Sequence, residues 1–171
     1  MNESNKFLGK YRGTVINNID PEQKGRIQVI VPDVSNIMIS SWALPCMPVG
    51  GIQTGMFAIP PIGAGVWVEF EQGNPDYPIW TGCFWGSTTE VPALAKMVPP
   101  AVSGITFQTT LQNGIIISDV PGPTGGIMLK STTGASIIVN DTGIYIQNGK
   151  GASIIMTGPT VTINQGALTI I

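Results

Sequence analysis

A short apolar segment occurs twice near the end of the chain and constrains the fold more than any other feature. The letters GASII stand at residues 134–138 and again at 151–155. The fourteen residues that begin at each copy align without gaps, at a period of seventeen. Self-similarity of this kind indicates stacked structural units. Within each copy, apolar residues recur at every second position, which predicts β-strands.

The apolar positions of these strands predict one dry face. Tyr145, Thr160, Thr162 and Thr169 alternate with them and are expected to face solvent. No amphipathic helix or second sheet that could cover the dry face is predicted in this half, so its cover must be another copy of the chain. The residues predicted to form this shared core are Ile127, Ile137, Val139, Ile144, Ile146, Ile154, Met156, Val161 and Ile163.

Charge is sparse throughout the chain. Charged residues are 11% of the 171 residues and the formal net charge is -2. A lightly charged β segment associates readily through its strand edges, so closure by symmetry is the simplest protection. No basic cluster is present, and the long-range attraction that phosphate binding requires is therefore missing. We expect no nucleic-acid partner.

Several other functional classes lack their usual signals. No apolar run has the length of a membrane span, and the first residues do not form a secretory signal, so the chain is expected to be cytoplasmic when synthesised. Cys46 and Cys83 are expected to be unpaired, buried thiols. There is no histidine, and two distant cysteines do not make a metal site. We predict no metal and no cofactor.

The first half predicts a small antiparallel barrel. The segment YRGTVINNI, the turn DPEQKG and the segment RIQVIVP form an alternating hairpin. Further short apolar runs, separated by Pro and Gly, bring the total to five or six strands in under a hundred residues.

Taken in order, the markers of this half resemble the OB-fold domain of the phage baseplate assembly protein V and gp5/VgrG central spike family. The resemblance covers about residues 9 to 86. Its markers are Asp20-Pro21, Gly25-Arg26, Pro61-Ile62-Gly63, Val66, Val68, Gly73-Asn74-Pro75-Asp76, Pro78 and Gly82.

The resemblance implies an all-β fold, with an OB-fold barrel followed by an intertwined trimeric β-helix. On this basis we expect an N-terminal tail (1–8), a barrel (9–89), a linker (90–103) and a needle (104–171). In the needle, backbone groups are expected to pair between chains. The segment 104–118 is expected to pair differently from the repeat, because the loop DVPGPTGG follows it.

The family's role implies the function and the partners. The chain is expected to be a structural homotrimeric spike in the baseplate of a phage tail or phage-derived contractile injection particle. A separate hub protein would bind at the barrel end. Leu168, Ile170 and Ile171 end the chain on an apolar surface, which by resemblance a separate PAAR-type tip protein would cap. The target membrane would be a transient partner during piercing.

Two other interpretations compete with the spike. Glu69, Glu71 and Asp76 suggest a general acid and base, but no cleft or His, Cys or Lys partner is predicted beside them, so a solvated strand face is favoured and no enzyme is expected. The tryptophans, including Trp80, allow an OB-fold module that binds nucleic acid or glycan, with the repeat as an oligomerisation stalk. Core and subunit-contact roles are favoured for them.

Overall fold

The structure of the chain, a computed structural model, describes residues 6–170. Contacts divide the chain into two compact units, one that ends at Thr88 and one that begins at Thr89. We name them the barrel unit and the tail unit. Strands dominate both units, as the all-β prediction requires.

Within residues 6–88 the barrel unit contains seven strands, one α-helical turn and a 3-10 turn at Glu71–Gly73. The bounds are β1 (Tyr11–Asn17), β2 (Gln28–Ile30), α1 (Pro32–Ser35), β3 (Leu44–Pro45), β4 (Gly50–Gly51), β5 (Thr54–Gly55), β6 (Gly65–Phe70) and β7 (Pro78–Phe84). Strands β1 and β2 form the predicted hairpin, in which Val15 lies opposite Val29.

Five of these strands form one curled sheet, in the order β2-β1-β6-β7-β3. The edges also approach each other, because isolated bridges join Ile27 to Ala43 and Ile30 to Ile39. The segment that leads into β3 therefore lies beside β2, which gives the expected barrel form. The antiparallel prediction is incomplete, since β3 pairs with β7 in parallel. A parallel pair needs a long connection, and the chain between these two strands supplies it.

The barrel core follows from the two-residue period of its strands. Alternate residues of β1, β2 and β6 point inward and are buried. The core consists of Val15, Ile27, Val29, Val31, Ala43, Val66, Val68, Phe70 and Trp80. Cys46 and Cys83 are free, as predicted, but they are exposed rather than buried. Cys46 directly follows β3, and Cys83 is the penultimate residue of β7.

Between residues 89 and 170 the tail unit contains eight strands in one antiparallel sheet, which follows chain order. The bounds are β8 (Gly104–Gln108), β9 (Gly114–Ser118), β10 (Gly126–Lys130), β11 (Ser136–Asn140), β12 (Gly143–Gln147), β13 (Ser153–Thr157), β14 (Thr160–Ile163) and β15 (Leu168–Ile170). Each strand therefore pairs with its sequence neighbours in the same chain. The expected backbone pairing between chains is not needed inside the sheet, because short turns bring consecutive strands together.

The first two tail strands join the same sheet as the repeat. Ile105 lies opposite Ile117, and Ile117 lies opposite Ile127 across the loop that was expected to change the pairing. At the end of that loop Gly126 has a φ of 81°, and an added Cβ would stand 2.1 Å from the carbonyl oxygen of Val139. Only glycine fits such a position. The loop thus returns the chain without a change of register.

The predicted linker is not simply an extended connector. Residues Ala95–Met97 form a 3-10 turn, and the preceding Leu94 is only 3% exposed. The backbone N–H of Leu94 donates to Oε1 of Gln108 at 2.9 Å. Its side chain fills the space beside Gly114, where an added Cβ would lie 2.4 Å from Leu94 Cδ1. The segment therefore packs against the tail sheet.

Candidate trimer interface

Two rows of apolar side chains cross the tail sheet from β8 to β15. Residues directly opposite each other in paired strands lie on the same face, so the register alone places these side chains next to one another. The first row is Ile105, Ile117, Ile127, Val139, Ile144, Met156, Val161 and Ile170. The second row is Phe107, Ile115, Leu129, Ile137, Ile146, Ile154, Ile163 and Leu168. We name these sixteen residues the apolar face.

The apolar face is open to solvent in a single chain. Twelve of these sixteen described residues are exposed, and Ile144, Met156, Val161 and Ile163 are half-buried. Soluble proteins rarely leave a continuous apolar surface of this extent uncovered. No polar side chain interrupts either row, so the surface suits a partner that is equally apolar.

All nine residues predicted to form a shared core lie on the apolar face. The prediction missed five further members, which are Ile105, Phe107, Ile115, Ile117 and Leu129. The sequence carried a signal for them, because apolar residues recur at every second position in ITFQ, GIIIS and GIMLK. The four members on β8 and β9 were missed because the expected change of pairing after residue 118 separated these strands from the repeat, and Leu129 was missed although it follows Ile127 at the same spacing.

The residues predicted to bind a tip protein continue the same two rows. Leu168 lies opposite Ile163, and Ile170 lies opposite Val161. Both are exposed. Ile171, the third residue of that prediction, lies outside the described residues. Among residues 6–170, strand β15 pairs with β14 alone, so it forms one edge of the described sheet.

The opposite face of the sheet is less polar than predicted. Tyr145 and Thr162 do lie there, but the same cross-strand row also contains Ile138 and Ile155. Tyr145 is half-buried, and its hydroxyl lies 2.8 Å from that of Thr142. The mixed character arises because consecutive isoleucines in IIIS and SII place one apolar side chain on each face.

Side-chain hydrogen bonds hold the turns at the sides of the tail sheet. Oδ1 of Asn148 accepts from the backbone N–H groups of Lys150 and Ala152. Some of these bonds link one turn to the next, since Oδ1 of Asn113 accepts from the backbone N–H of Thr132 at 3.0 Å. Such contacts resist sliding of one hairpin past another.

Comparison with known families gives two matches that together span most of the chain. Residues 104–169 match the phage baseplate V C-terminal trimerisation domain. Residues 11–85 match the type VI secretion system/phage-baseplate injector OB domain. The chain belongs to the phage baseplate assembly protein V family. The apolar face therefore lies in a domain whose family is defined by trimerisation, and the curled sheet lies in the OB-fold domain.

Membership of the baseplate assembly protein V family points to a component of a phage or secretion-system particle. The two matched families consist of structural baseplate proteins, which points to a protein that is not an enzyme. None of the helices among residues 6–170 has the length and hydropathy that a membrane-crossing helix requires. In the same residues, no cluster of three or more His, Cys, Asp or Glu side chains could hold a metal ion.

In the barrel unit of this baseplate protein, Asp20 organises the first hairpin turn. Its side chain is 4% exposed and lies 2.7 Å from Nη2 of Arg26. Nε of Arg26 and the backbone N–H groups of Glu22, Lys24 and Arg26 also donate to this carboxylate. The hydrogen bonds from Arg26, followed by those from the backbone, hold the pKa of Asp20 well below its usual range. Asp20 therefore binds the side chain of Arg26 in addition to forming the turn.

The barrel tryptophans have different roles. Trp80 is 5% exposed, and its indole N–H donates to the carbonyl oxygen of Gly25 at 3.1 Å. Trp67 is half-buried on the outer surface, where its ring lies 5.0 Å from that of Phe84. The guanidinium of Arg12 stands 5.6 Å from the Trp67 ring centroid. Trp80 thus belongs to the core, and Trp67 to an outer aromatic patch.

The carboxylates considered as an acid and base pair do not form a catalytic group. Glu69 forms an ion pair with Nζ of Lys10 at 3.1 Å. Glu71 begins a 3-10 turn, so it does not lie on a solvated strand face as expected. Asp76 is exposed in the loop before β7. Surface ion pairs of this kind contribute little to stability and are ordinary on a barrel exterior.

Proposed function

We propose that the chain is the homotrimeric central spike of a contractile injection particle, either a phage tail or a phage-derived system. The observation that carries the proposal is the apolar face, which is continuous over eight strands and open in one chain. Three copies around one axis would turn these faces toward one another and bury them together. The nine predicted core residues, together with Ile105, Phe107, Ile115, Ile117 and Leu129, would then form the shared interior, and the two members on β15 would lie at its end.

The dimensions and charge of the tail sheet suit a piercing device. Eight strands at about 4.8 Å spacing give a shaft of roughly 35 Å, which is comparable to the roughly 30 Å hydrocarbon thickness of a bilayer. Between residues 104 and 170 the only charged residues are Asp119, Lys130, Asp141 and Lys150. Sparse charge lowers the cost of entering lipid. The work of piercing would come from the contracting particle.

The two ends of the spike would bind different partners. A hub protein would bind at the barrel end. A PAAR-type tip protein would bind at the edge formed by β15, where Leu168 and Ile170 are exposed and where Ile171 follows. An edge strand offers unpaired backbone groups as well as apolar side chains, so it provides both hydrogen bonds and apolar contact.

The proposal is tested by a pair of neighbouring substitutions on β14. Val161→Asp places a carboxylate on the apolar face, whereas Thr162→Asp places one on the opposite face of the same strand. We expect light scattering to give a trimer for the wild type and for Thr162→Asp, and a smaller species for Val161→Asp. In particles that lack the native spike, only the first two proteins should restore assembly and injection. A monomeric wild type would refute the spike.

An OB-fold binding module remains the second candidate, because the outer patch of Arg12, Trp67 and Phe84 combines a cation with aromatic rings. Gel shift and glycan-array binding that disappear in Trp67→Ala would favour it. Trp80 is unsuitable for this test because its loss would disturb the core. Normal particle assembly by Trp67→Ala without ligand binding would favour the spike.

A further inference from the structure

A β-hairpin of the barrel unit presents apolar side chains that the spike model leaves without a role. Strand β4 pairs with β5, and the backbone N–H of Met56 donates to the carbonyl oxygen of Val49 at 3.0 Å. Four large apolar residues of this segment are exposed, and Ile52, at the turn, is 98% exposed. The others are Val49, Met56 and Phe57. We name residues 49–57 the hairpin arm.

The residues that flank the hairpin arm pack against the barrel, and the arm itself lies in an uncharged stretch of the chain. Met47 and Ile59, just outside it, pack against the barrel core. The chain carries no charged residue from 34 to 68, a stretch that contains the whole arm. Burial of large apolar side chains stabilises a contact in proportion to the apolar area that is removed from water. A surface without charge suits a permanent interface better than a transient one, because permanent interfaces are the more apolar class.

The short covalent link between the two units indicates that the barrel units of the other copies are always available as partners. Strand β7 ends at Phe84, and Leu94 is already buried in the tail unit. Nine residues lie between these two positions, and an extended chain spans at most about 3.5 Å per residue. Trimerised tails therefore keep three barrel units tethered to one small region. Tethering of this kind gives effective concentrations on the order of millimolar, at which even a small apolar contact forms.

We propose that the hairpin arm of each copy packs against the barrel unit of the next copy in the trimer. A threefold arrangement makes this contact head-to-tail, so the arm meets a different surface on its neighbour and the ring closes. The inference rests on the trimer of the proposed function. It adds a second set of contacts to the assembly, separate from the apolar face of the tail.

Alkylation of single cysteines in the full-length trimer tests the contact. In a Cys46→Ser, Cys83→Ser background, Ile52→Cys reports on the arm and Asp33→Cys on an exposed charged site of the same unit. After light scattering has confirmed a trimer, we expect a bulky maleimide to modify Ile52→Cys at least tenfold more slowly than Asp33→Cys. In urea the two rates should be equal. Equal rates in the native trimer would overturn the inference, and a monomeric mass would overturn the trimer itself.

Because Ile52→Cys could itself weaken the contact, oxidation of methionines in the wild type provides an independent measurement. Met56 is exposed in one chain, and so is Met97, which lies in the tail unit. We expect peroxide to oxidise Met56 at least fivefold more slowly than Met97 in the trimer. Comparable rates refute the contact between copies. If Met56 then becomes protected only when a hub protein is added, the arm belongs to the hub interface instead.

Discussion

Replacement of Ile154 by aspartate tests the apolar face most directly. Ile154 lies in the second row between Ile146 and Ile163, and it is 38% exposed in one chain. That exposed part is what the trimer is proposed to bury. Because of the threefold symmetry, Ile154→Asp introduces three carboxylates into one layer of the shared interior. None of them would have a cationic partner there, since both rows are wholly apolar.

The cost can be worked out from the protonation of the new carboxyl group. An aspartate with an ordinary pKa of about 3.9 must take up a proton to enter the core at pH 7, which costs about 4 kcal/mol per chain. A neutral carboxyl buried without a hydrogen bond costs about 1–3 kcal/mol more. Over three chains the sum is roughly 15–20 kcal/mol, which offsets most of the roughly 25 kcal/mol that two nanomolar association steps would supply and leaves too little for association at micromolar concentrations. The trimer should be lost at pH 7.

The same reasoning predicts recovery in acid. The pKa of the new carboxyl group is raised in the trimer, so its destabilising effect grows as the pH rises from about 4 toward the raised pKa and declines as the pH falls back to the ordinary value. At pH 4.5 the protonation cost is only about 1 kcal/mol per chain, a relief of about 3 kcal/mol. Sedimentation equilibrium at pH 7 and 4.5 should therefore show partial return of the trimer.

Two matched variants make the test specific. Ile154→Asn is polar but does not titrate, so its association should be equally weak at both pH values. Thr162→Asp lies on the opposite face and should remain trimeric at both. The reasoning is wrong if Ile154→Asp is a stable trimer at pH 7, or if Thr162→Asp dissociates to the same degree.

Three further predictions concern the interior of each unit. Asp20→Asn should lower the melting temperature at neutral pH, because Arg26 loses its carboxylate. Since the pKa of Asp20 is depressed in the folded chain, its stabilising effect is present above about pH 3.8 and declines below it, so calorimetry should show a smaller acid sensitivity in the variant. Trp80→Phe should cost about 1–3 kcal/mol in urea titration, because the carbonyl of Gly25 loses its buried donor. Leu94→Ala should destabilise the tail unit by about 2–5 kcal/mol in urea titration followed by tail-specific hydrogen exchange.

Each of these variants has a control, which is a similar substitution at an exposed or half-buried residue. Asp33→Asn should leave the acid sensitivity unchanged, and an equal effect there would show that Asp20 is not the titrating group. Trp67→Phe should cost less than Trp80→Phe, because no hydrogen bond of its indole is lost. Met97→Ala should stay within about 0.5 kcal/mol of the wild type. Equal losses in Met97→Ala and Leu94→Ala would contradict the packing role of Leu94.

Much of the tail could be predicted because alternation is a local property. Ile144 and Ile146 must lie on one face of any strand that contains both, whatever surrounds it. The nine predicted residues therefore fell on the same face without knowledge of the pairing. The same local argument failed for Ile138 and Ile155, because a run of consecutive apolar residues satisfies both faces and the pattern does not say which one is covered.

The amino-acid sequence by itself determined the period of the strands, the low charge and the lack of any element in the tail that could cover the apolar residues. Only the tertiary structure decided the register that joins sixteen residues into two unbroken rows, and it placed β8 and β9 in that sheet. It also brought Leu94 against Gly114 and the indole of Trp80 against the carbonyl of Gly25. The physical reason is that alternation depends on the backbone of one strand, whereas cross-strand neighbours depend on turn geometry and on contacts between residues far apart in the chain.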